Sequence, residues 1–453
     1  MKKVSRVIII IFSAFLIATF TKTISLRVPK DFTKDNPHTL PVNNLYFNTL
    51  SDPYSEVWYK ISPVQSGSYE IVSAGIPNLS GTLYDSSKTK IIEENNHTLV
   101  SSSFRIASTL IENETYYLKL GLNCNKQVST SYSIVIKLIE EPHDKYFYQQ
   151  WGLLNLQNAS DINILPVWKY TLGKNIKIAI ADTGTDYTHE DLKNSVNLLF
   201  SYNFVHHINN IFPVKEKYTF ISSKAGHGTQ VAGIINSQLN NIGIVGIAPD
   251  SKIISFKTLG SQLDNHTTQT DPINSFIEAI KYARSKGIKI INCSFQGYVP
   301  NQEEMKAMQD ADDVLFVIAA GNDSLDLSKK PCYPACYNID NSIVVAALNK
   351  NGELSSLSNY GGPTAIAAPG EGILSTFPNN KYSYANGTSA AAPFVSAVCS
   401  LIWSLNESLT PLEVKEIITS RQNVTLIDSL KGKVSSGGML NAYKAVVAPN
   451  KLR

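Results

Sequence analysis

Cysteine is scarce in this chain of 453 residues: there are five, and none falls in the paired CxxC spacing of a zinc or iron–sulfur site. Five are also too few for a scaffold built from disulfides. Charge is sparse as well. Charged residues make up 17% of the chain, and 40 Lys plus Arg against 37 Asp plus Glu leave a net charge of +3. So small an excess argues against nucleic acid as the main partner. No internal repeat and no low-complexity tract is evident. The rest is a globular composition, 43% hydrophobic with 25 Gly and 20 Pro, which can bury a core and excludes a disordered, collagen-like or coiled-coil chain. At roughly 100–200 residues per domain, the length predicts one large and one small domain, or two to three comparable ones.

Lys2, Lys3 and Arg6 precede an uncharged apolar run over residues 7–20 (VIIIIFSAFLIATF), and Thr21-Lys22-Thr23 follows. That order predicts a secretory signal peptide over residues 1–23. The run is shorter than the ~20 residues of a spanning helix, which makes a retained anchor the weaker alternative. The expected address is secreted, extracellular or cell-envelope associated, with no stable membrane insertion after cleavage. Disulfides are possible there, and Cys332 and Cys336, flanking Pro334, are candidates for a short loop bridge. Cys293 and Cys399 lie in apolar segments and read as buried thiols, while Cys124 has no evident partner. Several Asn-x-Ser/Thr triplets occur, including those at Asn78, Asn96 and Asn113 and, inside motifs discussed below, at Asn292, Asn322 and Asn386. Most read as chance in an Asn-rich chain.

The chain divides into unlike halves. After a linker at 24–41, residues 42–140 carry the segments SEVWYKISP, GSYEIVSAG, SGTLYDSS, TYYLKLGL and SYSIVIKLI. These alternate apolar and polar side chains between Gly, Pro, Asn and Ser clusters, and predict a small antiparallel β-sandwich. A second linker at 141–149 (around EEPHD) leads to a domain over 150–453. Here runs that are apolar throughout (IKIAIA, KIISF, IKIINCS, VLFVIAA, SIVVAA) alternate with helical stretches. In one of these, Ile273, Phe276, Ile277 and Ile280 keep helical spacing and Gly287 stands at the C-terminal cap position. Apolar strands separated by helices predict a mostly parallel sheet covered on both faces, an α/β fold.

Three motifs sit at the tips of these elements. IKIAIA runs into Asp182-Thr183-Gly184, Gly226-His227-Gly228-Thr229 opens a helix, and Asn386-Gly387-Thr388-Ser389 opens an apolar one (AAAPFVSAVCSLIW). Alone, each has an ordinary reading: a turn aspartate, a packed surface histidine, an N-cap serine. Together they are specific. A serine hydroxyl is a poor nucleophile until a base takes its proton, and the base needs an acceptor to fix its tautomer and stabilise its charged form. The chain order Asp, His, Ser is one of the known orders for that constellation.

On these motifs (ADTGTDYTHEDL, GHGTQVAG, NGTSAAAPFV) and the connecting NNIGIVGIAPDSKI, KIINCS, VIAAGN, LSSLSNYG, IAAPG and GGMLNAYKAV, residues 144–447 resemble the subtilisin-like serine proteases. The resemblance implies a subtilisin-like three-layer domain and a secreted endopeptidase acting on polypeptides. Ser389 would be the nucleophile, His227 the general base and then acid, Asp182 its partner, and Asn322 the oxyanion-hole donor together with the Ser389 N–H. Ser294, Phe295 and Gln296 match the segment that pairs with substrate backbone and lines the primary pocket. Gln296 stands where a small Gly is common and so re-shapes that pocket, and Asp323 is placed at its rim or in a solvated turn. Residues 260–271 lack the usual Gly-rich substrate edge, while Ala390 and Phe394 replace a common Met and His. A structural Ca²⁺ site is implied at Asp144, Asp191, Asn240 and the carbonyls of Ile242 and Ile244. The β-rich region resembles the pre-peptidase C-terminal-like sandwich, which implies an accessory or docking module, an inert spacer being the alternative. The protein is expected to be a monomer. A transpeptidase or macrocyclase of the same family, and a silent peptide-binding pseudoprotease, share much of the pattern. The first needs inserted helices that are not evident, and the second needs a lost site residue, whereas Asp182, His227, Ser389 and Asn322 are all present.

Overall fold

The computed structural model describes residues 32–50, 56–74, 79–95, 104–122, 130–213, 225–260 and 271–450. The expected signal peptide, Asn78, Asn96, Cys124 and residues 261–270 of the 260–271 stretch lie outside the described residues. The chain forms two compact units, the first drawn from the region up to Leu138 and the second from Ile139 onward, with Ser66–Ser68 and Thr109–Ile111 assigned to the second.

The first unit is β-rich. One sheet has the strand order His38–Leu40, Val57–Ile61, Tyr116–Leu122, Leu79–Tyr84, Ile91–Asn95, and the other Leu45–Leu50, Thr130–Leu138, Gly67–Ala74, Arg105–Leu110. Tyr116–Leu122 pairs antiparallel with Val57–Ile61 and Leu79–Tyr84, Leu79–Tyr84 with Ile91–Asn95, and Thr130–Leu138 with Leu45–Leu50 and Gly67–Ala74. His38–Leu40, upstream of residue 42, instead runs parallel to Val57–Ile61. Along Tyr116–Leu122 the period of two is plain: Tyr116, Leu118 and Leu120 are buried, while Lys119 reaches Glu56 at 3.1 Å. The two sheets meet face to face. Asn48 of one donates to the Tyr59 hydroxyl of the other at 2.9 Å, and Tyr59 shares a hydrogen bond with Tyr132, so these buried polar groups satisfy one another.

The second unit holds a nine-stranded sheet in the order Tyr202–Asn203, Lys252–Lys257, Lys177–Asp182, Ile290–Cys293, Leu315–Ala319, Ser342–Leu348, Thr364–Pro369, Gly438–Leu440, Val424–Leu426. Every pairing is parallel except the last, Val424–Leu426 with Gly438–Leu440. The central strands are buried along their length, as a sheet covered on both faces requires. Side-chain parity assigns the two layers. Ala179, Ala181, Ile291, Cys293, Phe316 and Ile318 form one core with Phe276, Ala279 and Ile280 of the helix Pro272–Ser285 and with Met308 of the helix Gln302–Gln309. The alternate residues, Asp182 and Asn292 among them, therefore face the opposite layer, which contains the helices His227–Asn236 and Thr388–Leu405. The latter is long and apolar enough to cross a membrane by composition, but 83% of it is buried inside the protein, where it serves as the central core helix.

Candidate functional site

Asp182 ends its strand at the C-terminal edge of the sheet, where open α/β sheets gather their sites. Its carboxylate is almost fully buried, at 1% exposure, and a buried charge is costly unless paired and hydrogen-bonded. Both requirements are met. The Thr183 N–H donates to Oδ1 at 2.7 Å, and His227 Nδ1 lies 2.9 Å from Oδ1 and 2.8 Å from Oδ2. Gly228 makes that approach possible, since a Cβ there would fall 2.3 Å from the Gly184 carbonyl oxygen and 3.2 Å from Asp182 Oδ1. The Thr183 hydroxyl fastens the same junction, donating to the Ala225 carbonyl at 3.0 Å and accepting from the Gly228 N–H at 3.2 Å. Burial pulls the imidazole toward its neutral form, but the Asp182 charge and hydrogen bond outweigh it and hold His227 above the ordinary value of 6.5.

Ser389 is the second residue of its helix, among the first four N–H groups that have no partner within a helix. Four residues further on, Pro393 lies inside the helix and has no N–H to give to the Ser389 carbonyl. The Ser294 hydroxyl donates to that carbonyl instead, at 3.0 Å. Asn292 Nδ2 donates to Ser294 Oγ at 2.8 Å, and Asn292 Oδ1 accepts from the Ser396 hydroxyl at 2.8 Å. A buried chain of polar groups thus ties the sheet to the first turn of the helix. Asn292 and Ser396 were not singled out from the sequence, although one polar residue in the apolar run IINC and a proline in an apolar helix were the available signals.

Asn322 follows the strand Leu315–Ala319, and its Oδ1 accepts from the Thr388 N–H at 2.7 Å and the Thr388 hydroxyl at 3.0 Å. Because a backbone N–H only donates, the amide orientation is fixed, with Nδ2 as the end turned away from Thr388. His227 and Ser389 line a single cleft of about 390 Å³, shared with Phe377, Tyr384 and Asn386.

The remaining expected site residues are placed as follows. Ser294 is committed to the Ser389 carbonyl, the Phe295 ring packs edge-on against Phe276 at 5.1 Å, and Gln296 reaches toward Asn322 and Asp323. Asp144, Asp191, Asn240, Ile242 and Ile244 are brought together. Asp144 Oδ1 accepts from the Asn240 N–H at 3.1 Å, and Asp191 accepts from Asn240 Nδ2 at 3.2 Å and from the Ile244 N–H at 3.0 Å, while Ile242 N–H donates to Asn240 Oδ1 at 2.8 Å. Asp144 Oδ2 is buried and has no hydrogen-bond partner. Burial, with a further contribution from the Asp144 charge, pushes Asp191 up to about 6. One expectation is corrected: Cys332 and Cys336 are free thiols, not a disulfide. Cys332 Sγ is drawn to the Ala320 carbonyl at 3.2 Å and receives the Asn359 amide at 3.8 Å. The hydrogen bond between the two sulfurs raises the Cys332 thiol and lowers that of Cys336. Cys293 and Cys399 are buried thiols, as read from the sequence.

Comparison with known proteins agrees with this architecture. Residues 173–438 match the model of the subtilase family, Peptidase_S8. The major intracellular serine protease of Bacillus subtilis is 38% identical over 266 residues, covering 55% of this chain and 79% of its own. Thermitase of Thermoactinomyces vulgaris is 34% identical over 309 residues, covering 67% of this chain and 99% of its own. Subtilisin-like protease 2 of Plasmodium falciparum is 28% identical over 449 residues, covering 95% of this chain but 31% of its own length. Among solved structures, a protease from Pseudoalteromonas arctica superposes with a TM-score of 0.56 at 25% identity, over 68% of this chain and 99% of that one. Fold and relatives together define a serine endopeptidase, whose substrates are polypeptides. The chain belongs to the subtilase family.

The relation between Pro393 and Ser294 is testable. Ser294→Ala leaves the Ser389 carbonyl without a donor and is expected to cost about 1–3 kcal/mol, read as a lower urea midpoint. Adding Pro393→Ala to that variant restores an N–H in the helix and is expected to recover part of the loss.

Proposed function

We propose that this protein is an exported endopeptidase that hydrolyses internal peptide bonds through an acyl-enzyme on Ser389. The observation that carries the reading is the position of His227, with Nδ1 within 2.9 Å of both Asp182 oxygens and its ring in the cleft that Ser389 also lines. With Nδ1–H donated to the carboxylate, Nε2 is the basic nitrogen. It takes the Ser389 proton as Oγ attacks the peptide carbonyl, and the imidazolium then protonates the departing amine. Asp182 stabilises that imidazolium. Asn322 Nδ2 and the Ser389 N–H supply the donors for the oxygen that becomes negative in the tetrahedral intermediate. Water, deprotonated by His227, releases the acyl group by the reverse sequence. The extended substrate adds along the Ser294–Gln296 segment through backbone hydrogen bonds, which are largely indifferent to sequence.

Export rests on the basic, apolar and small-residue order of residues 1–23. The relatives' names include both an intracellular and a cell wall-associated protease, so they do not decide the address. The β-rich unit is proposed as an accessory module of the pre-peptidase C-terminal-like kind, on its strand composition and its two stacked sheets.

A structural Ca²⁺ is proposed at Asp144, Asp191 and Asn240 with the 242–244 loop. The fit is chemical: carboxylate oxygens with one unpartnered buried atom at Asp144 Oδ2 form a hard, anionic donor set. When bound, the ion would neutralise these charges and brace the loops; it takes no part in the proton transfers. Added Ca²⁺ is expected to raise the melting temperature, by about 2.7 kcal/mol of stability at a hundredfold excess over Kd. Asp191→Asn should abolish that response, read by thermal melting with and without a chelator.

The proposed nucleophile is tested with a fluorophosphonate probe and peptide hydrolysis. Labelling is expected on Ser389 alone, and Ser389→Ala is expected to lose at least about a thousandfold in turnover with an unchanged melting curve. Undiminished turnover in that variant would identify a different nucleophile.

A further inference from the structure

Asn322, Asp323 and Ser324 are exposed, yet several amide groups of this loop are held by side chains from separate segments. Gly321 N–H donates to the Thr388 hydroxyl at 2.9 Å. Asp323 N–H and Leu325 N–H both donate to Asn359 Oδ1, at 3.0 and 2.9 Å, while Asn359 Nδ2 donates to the Ala320 carbonyl at 3.0 Å. Between these anchors lies the Asn322 N–H, and its acceptor is Gln296 Oε1 at 3.1 Å. Gln296 is itself aimed by its other end, since Nε2 donates to Asp323 Oδ2 at 2.6 Å and the Tyr298 hydroxyl donates to the same oxygen at 2.5 Å. The amide lies directly on the loop backbone. Gly321 has φ +105°, and a Cβ there would fall 2.0 Å from Gln296 Oε1, so no larger residue fits beneath it.

We propose that Gln296 is a positioning residue for the oxyanion donor: its side chain bridges the substrate-pairing segment to residues 321–323 and fixes where Asn322 stands relative to Ser389. This rests on the protease reading above. Asn322 is then held from two directions, its side-chain oxygen by Thr388 on the nucleophile helix and its backbone N–H by Gln296. Removing the second hold lets the donor drift while the first remains. An oxyanion donor acts only when negative charge develops, so its displacement lowers kcat and leaves substrate binding largely unchanged. The Tyr298 hydroxyl and the Gln296 amide hold the Asp323 carboxyl below the usual carboxylate range. A carboxylate only accepts, so its bond to Nε2 keeps Gln296 turned with Oε1 toward the Asn322 N–H.

The polarity of the bridge supplies the test. Gln296→Ala is expected to lower kcat about tenfold, over and above any change in KM from the altered pocket. Gln296→Glu retains an acceptor for the Asn322 N–H but sets a carboxylate against Asp323, and is expected to lose at least as much. Gln296→Glu combined with Asp323→Asn reverses the donor and acceptor of the second bond, and is expected to return kcat to within about threefold of the wild type. Urea unfolding of each variant separates this from loss of fold. A wild type that turns over peptide, with undiminished kcat in Gln296→Ala or no recovery in the double variant, overturns the positioning role alone. A folded wild type with neither turnover nor fluorophosphonate labelling overturns both the role and the reading on which it rests.

Discussion

A carboxylate buried at the end of a β-strand is the constraint around which this unit is organised. Asp182 keeps its charge away from water only because the Thr183 N–H and the His227 ring donate to it. That requirement propagates outward. The ring must come within hydrogen-bond distance of the strand end, so the residue after it is a glycine whose missing Cβ makes way for the Gly184 carbonyl. The helix must start at His227 itself, so its first turn is fastened to Thr183. The imidazole that results is more basic than a free one and presents its second nitrogen to the cleft. Electrostatics inside the sheet edge and the proton transfer proposed at its surface are the same interaction seen from two sides.

A backbone solution supports the other half of the site. Pro393 breaks one rung of the central helix and releases the Ser389 carbonyl, and the sheet captures it through Ser294, Asn292 and Ser396. The residue proposed as nucleophile is held by its own carbonyl, so its position depends on the register between helix and sheet more than on the exposed loops nearby. Asn322 is linked to the same helix turn through Thr388. The cleft itself is lined by the helix His227–Asn236, by Phe377 and residues 383–386, and by the first turn of the long helix, while Gln296 and Asp323 stand on the loops beside Asn322.

Much of this was legible in the sequence because it follows from periodicity and from chemistry compressed into short motifs. Strands apolar along their whole length predicted a parallel sheet, and Asp182, His227 and Ser389 each stood at the tip of an element, where such a sheet brings tips together. Side chains whose partners are remote in the chain were less legible. A spacing of four permits a disulfide between Cys332 and Cys336, and only the folded loop shows that the Ala320 carbonyl and Asn359 occupy Cys332. The significance of Asn292 depends on Ser396, 104 residues away. The strand His38–Leu40 is too short to show alternation and joins its sheet in parallel, against the pattern of the other strands. Gln296 was noticed as an oversized residue, but its partners lie across the loop at Asn322 and Asp323, and spacing along the chain does not identify them.

The central claim is that Asp182 makes His227 the base that activates Ser389. It is tested most directly by the pH dependence of fluorophosphonate labelling at Ser389, in the wild type and in Asp182→Asn. A base must be neutral to accept a proton, and the folded imidazole is held above 6.5. The labelling rate should therefore fall as pH drops through a value above 6.5, and Asp182→Asn should label far more slowly at every pH. A rate indifferent to pH across the imidazole range, or equal rates in the two proteins, would contradict the account.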